Sequence, residues 1–302
     1  MYLQKSGAGV VVQAPAKLNL FFEVLGKRED GYHEVETLVT PVDLYDTLYF
    51  AERGDGQVCL SCCRASGHWG TDGNWLADLP EGSENLVVRA VELLRRRSGE
   101  RRGASLRLVK RIPTASGLGG GSSDAAAALA AANAGWNLAW SWQELAQLGA
   151  ELGSDVPLFF AQGPALCRGR GERVAPVAAL GAWHFVLVRP PAGLSTAAVY
   201  RACVPAQPAR DASPLMEALS RGALAEAGRA MFNRLESAAE SLSPWIRRLR
   251  AEFEETDCVG HQMSGSGTCY FGLCRHARHA RRIARRLQAK RLGMALAVQG
   301  CR

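Results

Sequence analysis

The segment Ile112–Ala132, IPTASGLGGGSSDAAAALAAA, sets four glycines within five residues against the start of an alanine-rich run. A strand-like stretch, SLRLVK, precedes it, and the alanines and leucine that follow are strong helix formers. The glycines therefore stand at a helix N-terminus. There the first N–H groups have no partner within the helix and the dipole is positive, and glycine lets backbone approach an anion with no Cβ in the way. Ser122 and Ser123 add hydroxyl donors, and Asp124 is expected in the first helical turn, where a carboxylate suits the dipole. A tight turn needs one or two glycines; four with two serines point to a bound phosphate.

Two familiar phosphate loops are excluded. A Walker A loop needs Gly-Lys followed by Ser or Thr, whereas the Gly26-Lys27 pair is followed by Arg28. The dinucleotide fingerprint would need glycine at position 122, which is serine, and no other segment supplies it.

The remaining composition narrows the class. At 302 residues and 47% hydrophobic content, the chain can fill one large domain or two ordinary ones. No run reaches the roughly 18 apolar residues of a membrane span, and the first residues lack the ordered regions of a signal peptide, so the cytoplasm is the expected location. The nine cysteines are odd in number and mostly lie in apolar runs, as reduced thiols do. Cys59, Cys62, Cys63 and His68 could be weighed as zinc ligands, but no second ligand pair appears at a recognisable spacing. The net charge of +7 gathers in RRRSGERRG (95–103) and in RHARHARRIARRLQAKR (275–291). In the second, Ala280, Ile283, Ala284 and Leu287 recur at helical spacing, which predicts a helix with one buried stripe and a solvated basic face. Without interleaved aromatics these runs do not favour nucleic acid as a partner.

The order of elements predicts an α+β protein of two lobes, residues 1–165 and 166–302. In the first, strand-like runs (GVVVQA, KLNLFFEVL, EVETLVTPV, DTLYFAE, QVCLSCC) lead to a helix over 85–97, then SLRLVK, the glycine loop and its helix. SWQELAQLGAELG reads as a further helix with Ser141 capping its start and Gly153 its end. The Gly-, Pro- and Ala-rich stretch 163–182 reads as a boundary or hinge. Beyond it, strand, helical insert, strand, strand, helix and strand follow the split ferredoxin-like pattern.

IPTASGLGGGSSDAAAAL resembles the phosphate loop of the GHMP kinase superfamily. APAKLNLFFEV (14–24) resembles that family's first motif and GHQMSGSGTCYF (260–271) its third, and the three stand in the family's order. PAKLNLFFEVLGKREDGYHEVETL (15–38) and LGSDVPLFF (152–160) are similar to the branch of that family serving the non-mevalonate isoprenoid pathway. The resemblance implies a two-lobed GHMP kinase fold with an N-terminal ribosomal-protein-S5-domain-2-like lobe and a C-terminal ferredoxin-like lobe. It implies ATP-dependent phosphorylation of the 2-hydroxyl of a cytidine-diphosphate-linked methylerythritol, with Mg2+ expected alongside ATP and no protein ligand named for it.

The resemblance assigns the nucleotide phosphates to Gly117, Leu118, Gly119, Gly120, Gly121, Ser122 and Ser123, with Lys110, Pro113 and Asn85 near the nucleotide. From the residues alone Asp155, in GSDVP, is equally a turn aspartate and a general base; the resemblance favours the base. Strand alternation puts Lys17 and Asn19 on one face, and a buried lysine needs a partner, for which Asp155 is the candidate. Asn19, Tyr32, His33 and Tyr200 are implied toward the cytidine, with Tyr200 closing a sandwich around the base. Ser116 stands where the family carries Gly or Ala. NRLE (233–236) departs from the family's Asn-Asp-hydrophobic-Glu segment at Arg234 and is given no catalytic role. The insert 62–82, with Trp69 and Trp75, has no counterpart. Two other readings stay open: a GHMP kinase of the homoserine or mevalonate type, and a non-catalytic nucleotide- or nucleic-acid-binding protein on the same fold.

Overall fold

The computed structural model describes residues 1–7, 9–65, 82–177 and 180–301. The chain forms two compact units, each assembled from separate stretches: Met1–Ala16, Leu44–Thr114 and Gly119–Gln162 make the first, and Lys17–Asp43, Ala115–Leu118 and Gly163–Arg302 the second. Strands β2 (Gly9–Lys27) and β3 (His33–Arg53) are long enough to run through both. Each had read as two shorter strands, 9–14 with 17–25 and 34–42 with 46–52; the backbone stays extended through the residues between them.

In the first unit β1 (Tyr2–Ser6) pairs antiparallel with the start of β2, and the end of β3 pairs antiparallel with β5 (Gly103–Lys110). β4 (Val58–Arg64) lies parallel to β5, the connection passing through α1 (Leu86–Ser98). Against this sheet packs α2 (Gly120–Gly135), whose alanines are buried on every side. Trp136 closes it by setting its ring edge-on to Phe50, 5.5 Å between centroids, and donating its indole N–H to Gly103 O at 3.3 Å. α1 and α3 (Trp142–Gly149) pack beside α2. Ser141 caps α3 in a capping box with Glu144, but the helix ends at Gly149 and not at Gly153. The residues after it fold into a tight turn closed by Gly153 N to Gly149 O at 3.2 Å.

In the second unit β6 (Ala165–Gly169) and β7 (Arg173–Pro176) form a hairpin on β3. The stretch 163–182, expected as a boundary or hinge, begins where the second unit resumes at Gly163, and its small residues include a paired hairpin whose turn is tied by Arg170 N donating to Glu172. β8 (His184–Arg189) follows. The helical insert then resolves into α4 (Thr196–Ala202), α5 (Ser213–Ser220), α6 (Leu224–Ala230), α7 (Leu235–Leu242) and α8 (Pro244–Glu254), with a short β9 (Phe232–Asn233) on β2. β10 (Gly260–Met263), β11 (Tyr270–Cys274), α9 (Ala277–Ala289) and β12 (Met294–Gln299) complete the chain.

The antiparallel order β12-β8-β11-β10 is fourth, first, third, second in chain order, the ferredoxin-like arrangement expected from the succession of elements. α9 buries Ala280, Ile283, Ala284 and Leu287 against that sheet and turns its arginines to solvent.

Candidate active site

The chain crosses from the second unit to the first inside the glycine loop, between Leu118 and Gly119. On the first-unit side Gly119, in the left-handed region at φ 69°, is the N-cap of α2, so the first turn begins at Gly120. Gly121 is exposed, Ser122 half-buried and Ser123 buried, and the Ser123 hydroxyl has no hydrogen-bond partner among the described residues. A buried, unclaimed donor beside free helix N–H groups fits an incoming anion. Asp124 is not in that first turn. It lies one residue further in, buried, with Oδ2 2.6 Å from Lys110 Nζ.

On the second-unit side, the loop is locked to the glycine turn between β10 and β11. Cys269 N donates to Ser116 O at 2.9 Å, and Ser264 Oγ to Gly117 O at 3.1 Å. Gly117 sits at φ 77° with the Ser264 carbonyl where a Cβ would go, so no other residue fits. Lys17 joins the same cluster through its backbone N–H, 2.9 Å from Leu118 O.

The Lys17 side chain is buried and gives Asn19 Oδ1 a hydrogen bond of 2.6 Å. Asn19 is held in turn: Nδ2 donates to Thr37 Oγ1 at 2.9 Å, the backbone N–H to Ser264 Oγ at 3.3 Å, and the backbone carbonyl accepts from Gln262 Nε2 at 2.8 Å. Gly265 is the third partner in space, since a Cβ there would come 3.2 Å from Lys17 Nζ and 3.1 Å from Asn19 Oδ1. β2 and the third motif thus meet at the Lys17 ammonium, while the loop holds the Lys17 backbone.

Asp155 belongs to the first unit. It is half-buried in the turn after α3, directly before the 3-10 turn Pro157–Phe160. That turn lies beside the glycine loop, because the Cβ position of Gly153 is 4.0 Å from Ser122 Oγ. Asn85 is the N-cap of α1, its side chain accepting from Val87 N at 2.9 Å, a cap that contributes about 1 kcal/mol to the helix. Pro113 is buried at the entry to the loop. Lys110 is 1% exposed and enclosed by Asp46 and Asp124.

Of the aromatic set, the ring facing Tyr200 is His33, at 5.1 Å between centroids and tilted by 34°. Tyr32 is half-exposed with the Arg170 guanidinium 4.6 Å over its ring. The described contacts therefore pair Tyr200 with His33 and leave no gap between those two rings for a base. Burial, helped by the charge of Lys27, holds the His33 pKa below the ordinary histidine value, so it is neutral at pH 7 and can accept or donate one hydrogen bond.

Asn233 and Glu236, set aside in the sequence because Arg234 breaks their segment, hold the third-motif turn. Asn233 Nδ2 donates to Met263 O and to Gly265 O, both at 2.8 Å, and Glu236 Oε2 accepts from Met263 N at 2.9 Å. Arg234 forms a two-pronged ion pair with buried Glu23, 2.7 and 2.8 Å. The missed signal was the placing of Asn233 just before α7 and Glu236 in its first turn, from where both side chains reach the same neighbouring turn. Cys59, Cys62 and Cys63 are exposed on β4; His68, Trp69 and Trp75 lie outside the described residues.

Residues 85–163 match the family of GHMP kinases N terminal domains, and residues 215–291 that of GHMP kinases C terminal domains. A protein of Pelotomaculum thermopropionicum described as 4-diphosphocytidyl-2-C-methyl-D-erythritol kinase is 43% identical, over 92% of this chain and 93% of its own. One of Shouchella clausii with the same description is 38% identical, over 90% and 88%. Among solved structures, a crystal structure of 4-(cytidine 5'-diphospho)-2C-methyl-D-erythritol kinase superposes with a TM-score of 0.78 at 36% identity, covering 97% of this chain and 99% of that one.

Proposed function

The chain belongs to the GHMP kinases, and among them to the 4-diphosphocytidyl-2-C-methyl-D-erythritol kinases; from that membership we propose how its own residues carry the reaction. It is a small-molecule kinase of two-lobed α+β fold, phosphorylating the 2-hydroxyl of 4-diphosphocytidyl-2-C-methyl-D-erythritol in the non-mevalonate route to isoprenoid precursors. We divide it functionally at 165/166, between the spans that match the N- and C-terminal families.

Phosphoryl transfer is mostly positioning and charge stabilisation, so each residue is assigned one of those tasks. Gly117 to Ser123 hold the ATP phosphates on backbone N–H groups and hydroxyls, with Asn85 and Pro113 on the nucleotide side. Asp155 takes the proton of the 2-hydroxyl as it attacks. Lys17 offsets negative charge on the transferred phosphoryl oxygens. Asn19 aims Lys17 beside the substrate, neutral His33 reads the cytosine edge, and Tyr32 and Tyr200 pack about the pyrimidine.

Mg2+ is proposed to enter as part of the nucleotide. Among the described residues there is no group of three or more His, Cys, Asp or Glu able to cage a cation, which suits an ion that keeps phosphate and water ligands. There it would neutralise phosphate charge. Among the described residues no helix is long and apolar enough to cross a membrane. The cytoplasm, where ATP and a phosphorylated polyol are available, is the proposed setting.

The observation that supports this reading most is the meeting of β2 and the third motif at the Lys17 ammonium, with the glycine loop bonded to the Lys17 backbone. The test is ADP release with 4-diphosphocytidyl-2-C-methyl-D-erythritol against homoserine, mevalonate and the uncytidylated polyol. Turnover with the cytidylated compound alone is expected; equal or better turnover with another acceptor would overturn the assignment.

A further inference from the structure

Lys110 carries a charge that the reaction assigned above does not use. Its ammonium bonds Asp46 and, at 2.6 Å, Asp124, and all three side chains are at most 3% exposed. The cluster ties three elements together. Asp46 comes from β3 and also accepts the backbone N–H groups of Arg111 and, at 2.8 Å, Ile112, the two residues that lead into the glycine loop. Lys110 ends β5, and Asp124 lies in α2. The Cβ position of Gly120, the first residue of α2, is 3.4 Å from Lys110 Nζ and 2.9 Å from Ile112 Cγ2, so the ammonium sits directly under the first helical turn.

A buried ion cluster is a poor source of stability, since well-packed apolar residues of the same volume hold a fold as well or better. Its position beneath a phosphate-binding turn supplies the reason for keeping it. We infer that Lys110, Asp46 and Asp124 form a buried clamp that positions the first turn of α2 for the nucleotide phosphates, with Lys110 acting through the turn and not as a ligand of the nucleotide. The inference rests on the ATP-binding reading of the glycine loop.

The clamp has an electrical consequence. Burial pushes the Asp124 carboxyl up to about 8, with the Lys110 charge opposing that shift and Asp46 adding to it. Burial alone would lower Lys110, but the two carboxylates reverse this and hold it above the ordinary lysine value. Asp124 Oδ1 has no hydrogen-bond partner among the described residues, which also favours the protonated form. As pH rises through 8, Asp124 loses its proton and one more negative charge appears under the phosphates.

Other elements on α2 bring little charge to this end. α1, α3 and the 3-10 turn Pro157–Phe160 bury only apolar residues and glycine. Lys5 of β1 bonds Asn137, beyond the far end of the helix, and Asp155 lies in the turn after α3.

The test is the pH dependence of ATP binding from pH 6.5 to 9.5, by steady-state kinetics and by calorimetry with ATP alone, for the unmodified protein, Asp124→Asn and Lys110→Met. The KM and the Kd for ATP are expected to rise at least fivefold between pH 7 and 9.5 in the unmodified protein and to stay within twofold in Asp124→Asn, which is isosteric and cannot ionise. Lys110→Met is expected to raise KM for ATP about tenfold while kcat at saturating ATP falls less than threefold. A flat profile in the unmodified protein, or an undiminished alkaline rise in Asp124→Asn, overturns the inference, and the Asp124→Asn profile decides it should Lys110→Met fail to fold. The calorimetric arm needs no turnover, so failure of the assigned reaction and failure of the clamp are read separately.

Discussion

Two glycine turns, one at the head of α2 and one between β10 and β11, share a composition and differ in support. Beneath the first lie a cation and two carboxylates, sealed from water, and above it are helix N–H groups and the Ser123 hydroxyl. The second joins the antiparallel strands β10 and β11. It is held by the Asn233 amide, by Glu236 on Met263 N and by Ser264, and it presses on Lys17 and Asn19. On the proposed roles, the turn that receives negative charge is backed by buried charges, whereas the turn that keeps one ammonium still is backed by directional hydrogen bonds. Glycine count alone does not distinguish them.

The sharpest way to break this contrast is at the residues the two turns serve. Lys17→Ala and Asp155→Asn are expected to lower kcat by roughly a thousandfold each, the range for a lost electrostatic stabiliser or general base, with melting temperature little changed. Single-turnover kinetics at saturating ATP reads the chemical step directly. Near-normal kcat in Asp155→Asn would remove it from the base role and leave it a turn aspartate.

Alanine at one glycine of each neighbourhood separates affinity from chemistry. Gly117 combines φ 77° with the Ser264 carbonyl in the place of a Cβ, so Gly117→Ala must displace backbone, a strain of about 1–3 kcal/mol or more. It is expected to cost on the order of a hundredfold in kcat/KM for ATP, most of it in KM. Gly265, at φ 55°, would set a Cβ 3.1 Å from Asn19 Oδ1, 3.2 Å from Lys17 Nζ and 3.5 Å from Gly117 O, so the side chains of Lys17 and Asn19 must shift by a few tenths of an ångström. Gly265→Ala should therefore lower kcat about tenfold and leave KM for ATP within threefold, through a displaced Lys17. If both variants shift KM alone, the division of labour between the turns is wrong.

What could be read beforehand followed from local pattern. The α9 stripe, the capping box on α3 and the ferredoxin-like succession each show in residues within one element or in the order of elements. The glycine loop could be read as a candidate phosphate site because the chemistry proposed for it is backbone chemistry. The clamp was not legible: Asp46 and Lys110 are separated by 64 residues, and only the pairing of β3 with β5 brings them together. Asp124, read as a residue of the first turn, had been given the opposite setting, exposed to the dipole and not buried on a lysine. The β6–β7 hairpin was hidden by glycine and proline that mark its turns, and the single lengths of β2 and β3 by breaks read at 15–16 and 43–45, where the backbone stays extended. Asn233 and Glu236 were discounted on Arg234, yet Arg234 serves Glu23 on a different face.

The smallest expected effect also compares the two turns, since each has a raised carboxyl beneath it. Burial lifts Glu236 above the ordinary carboxylate value, and the hydrogen bonds from Met263 N–H and the Tyr270 hydroxyl, at 2.9 Å each, recover only part of that; Glu240 adds to the rise and Arg250 opposes it. His261, 3.1 Å from the Tyr270 hydroxyl, is itself held below the ordinary histidine value by burial. A group with its folded pKa above its unfolded one binds more protons folded than unfolded. Its contribution is therefore complete below about pH 4.5 and is lost as pH rises through the folded value. Glu236→Gln removes that slope. Its melting temperature, measured against the unmodified protein from pH 4.5 upward, should gain on it by about 2 °C and then hold a constant offset. In Asp124→Asn the gain should continue to about pH 8, because the carboxyl over the clamp titrates there. The pH at which each offset levels off ranks the two burials, and a Glu236→Gln curve parallel to the unmodified one throughout would show that Glu236 holds its turn without any buried-carboxylate cost.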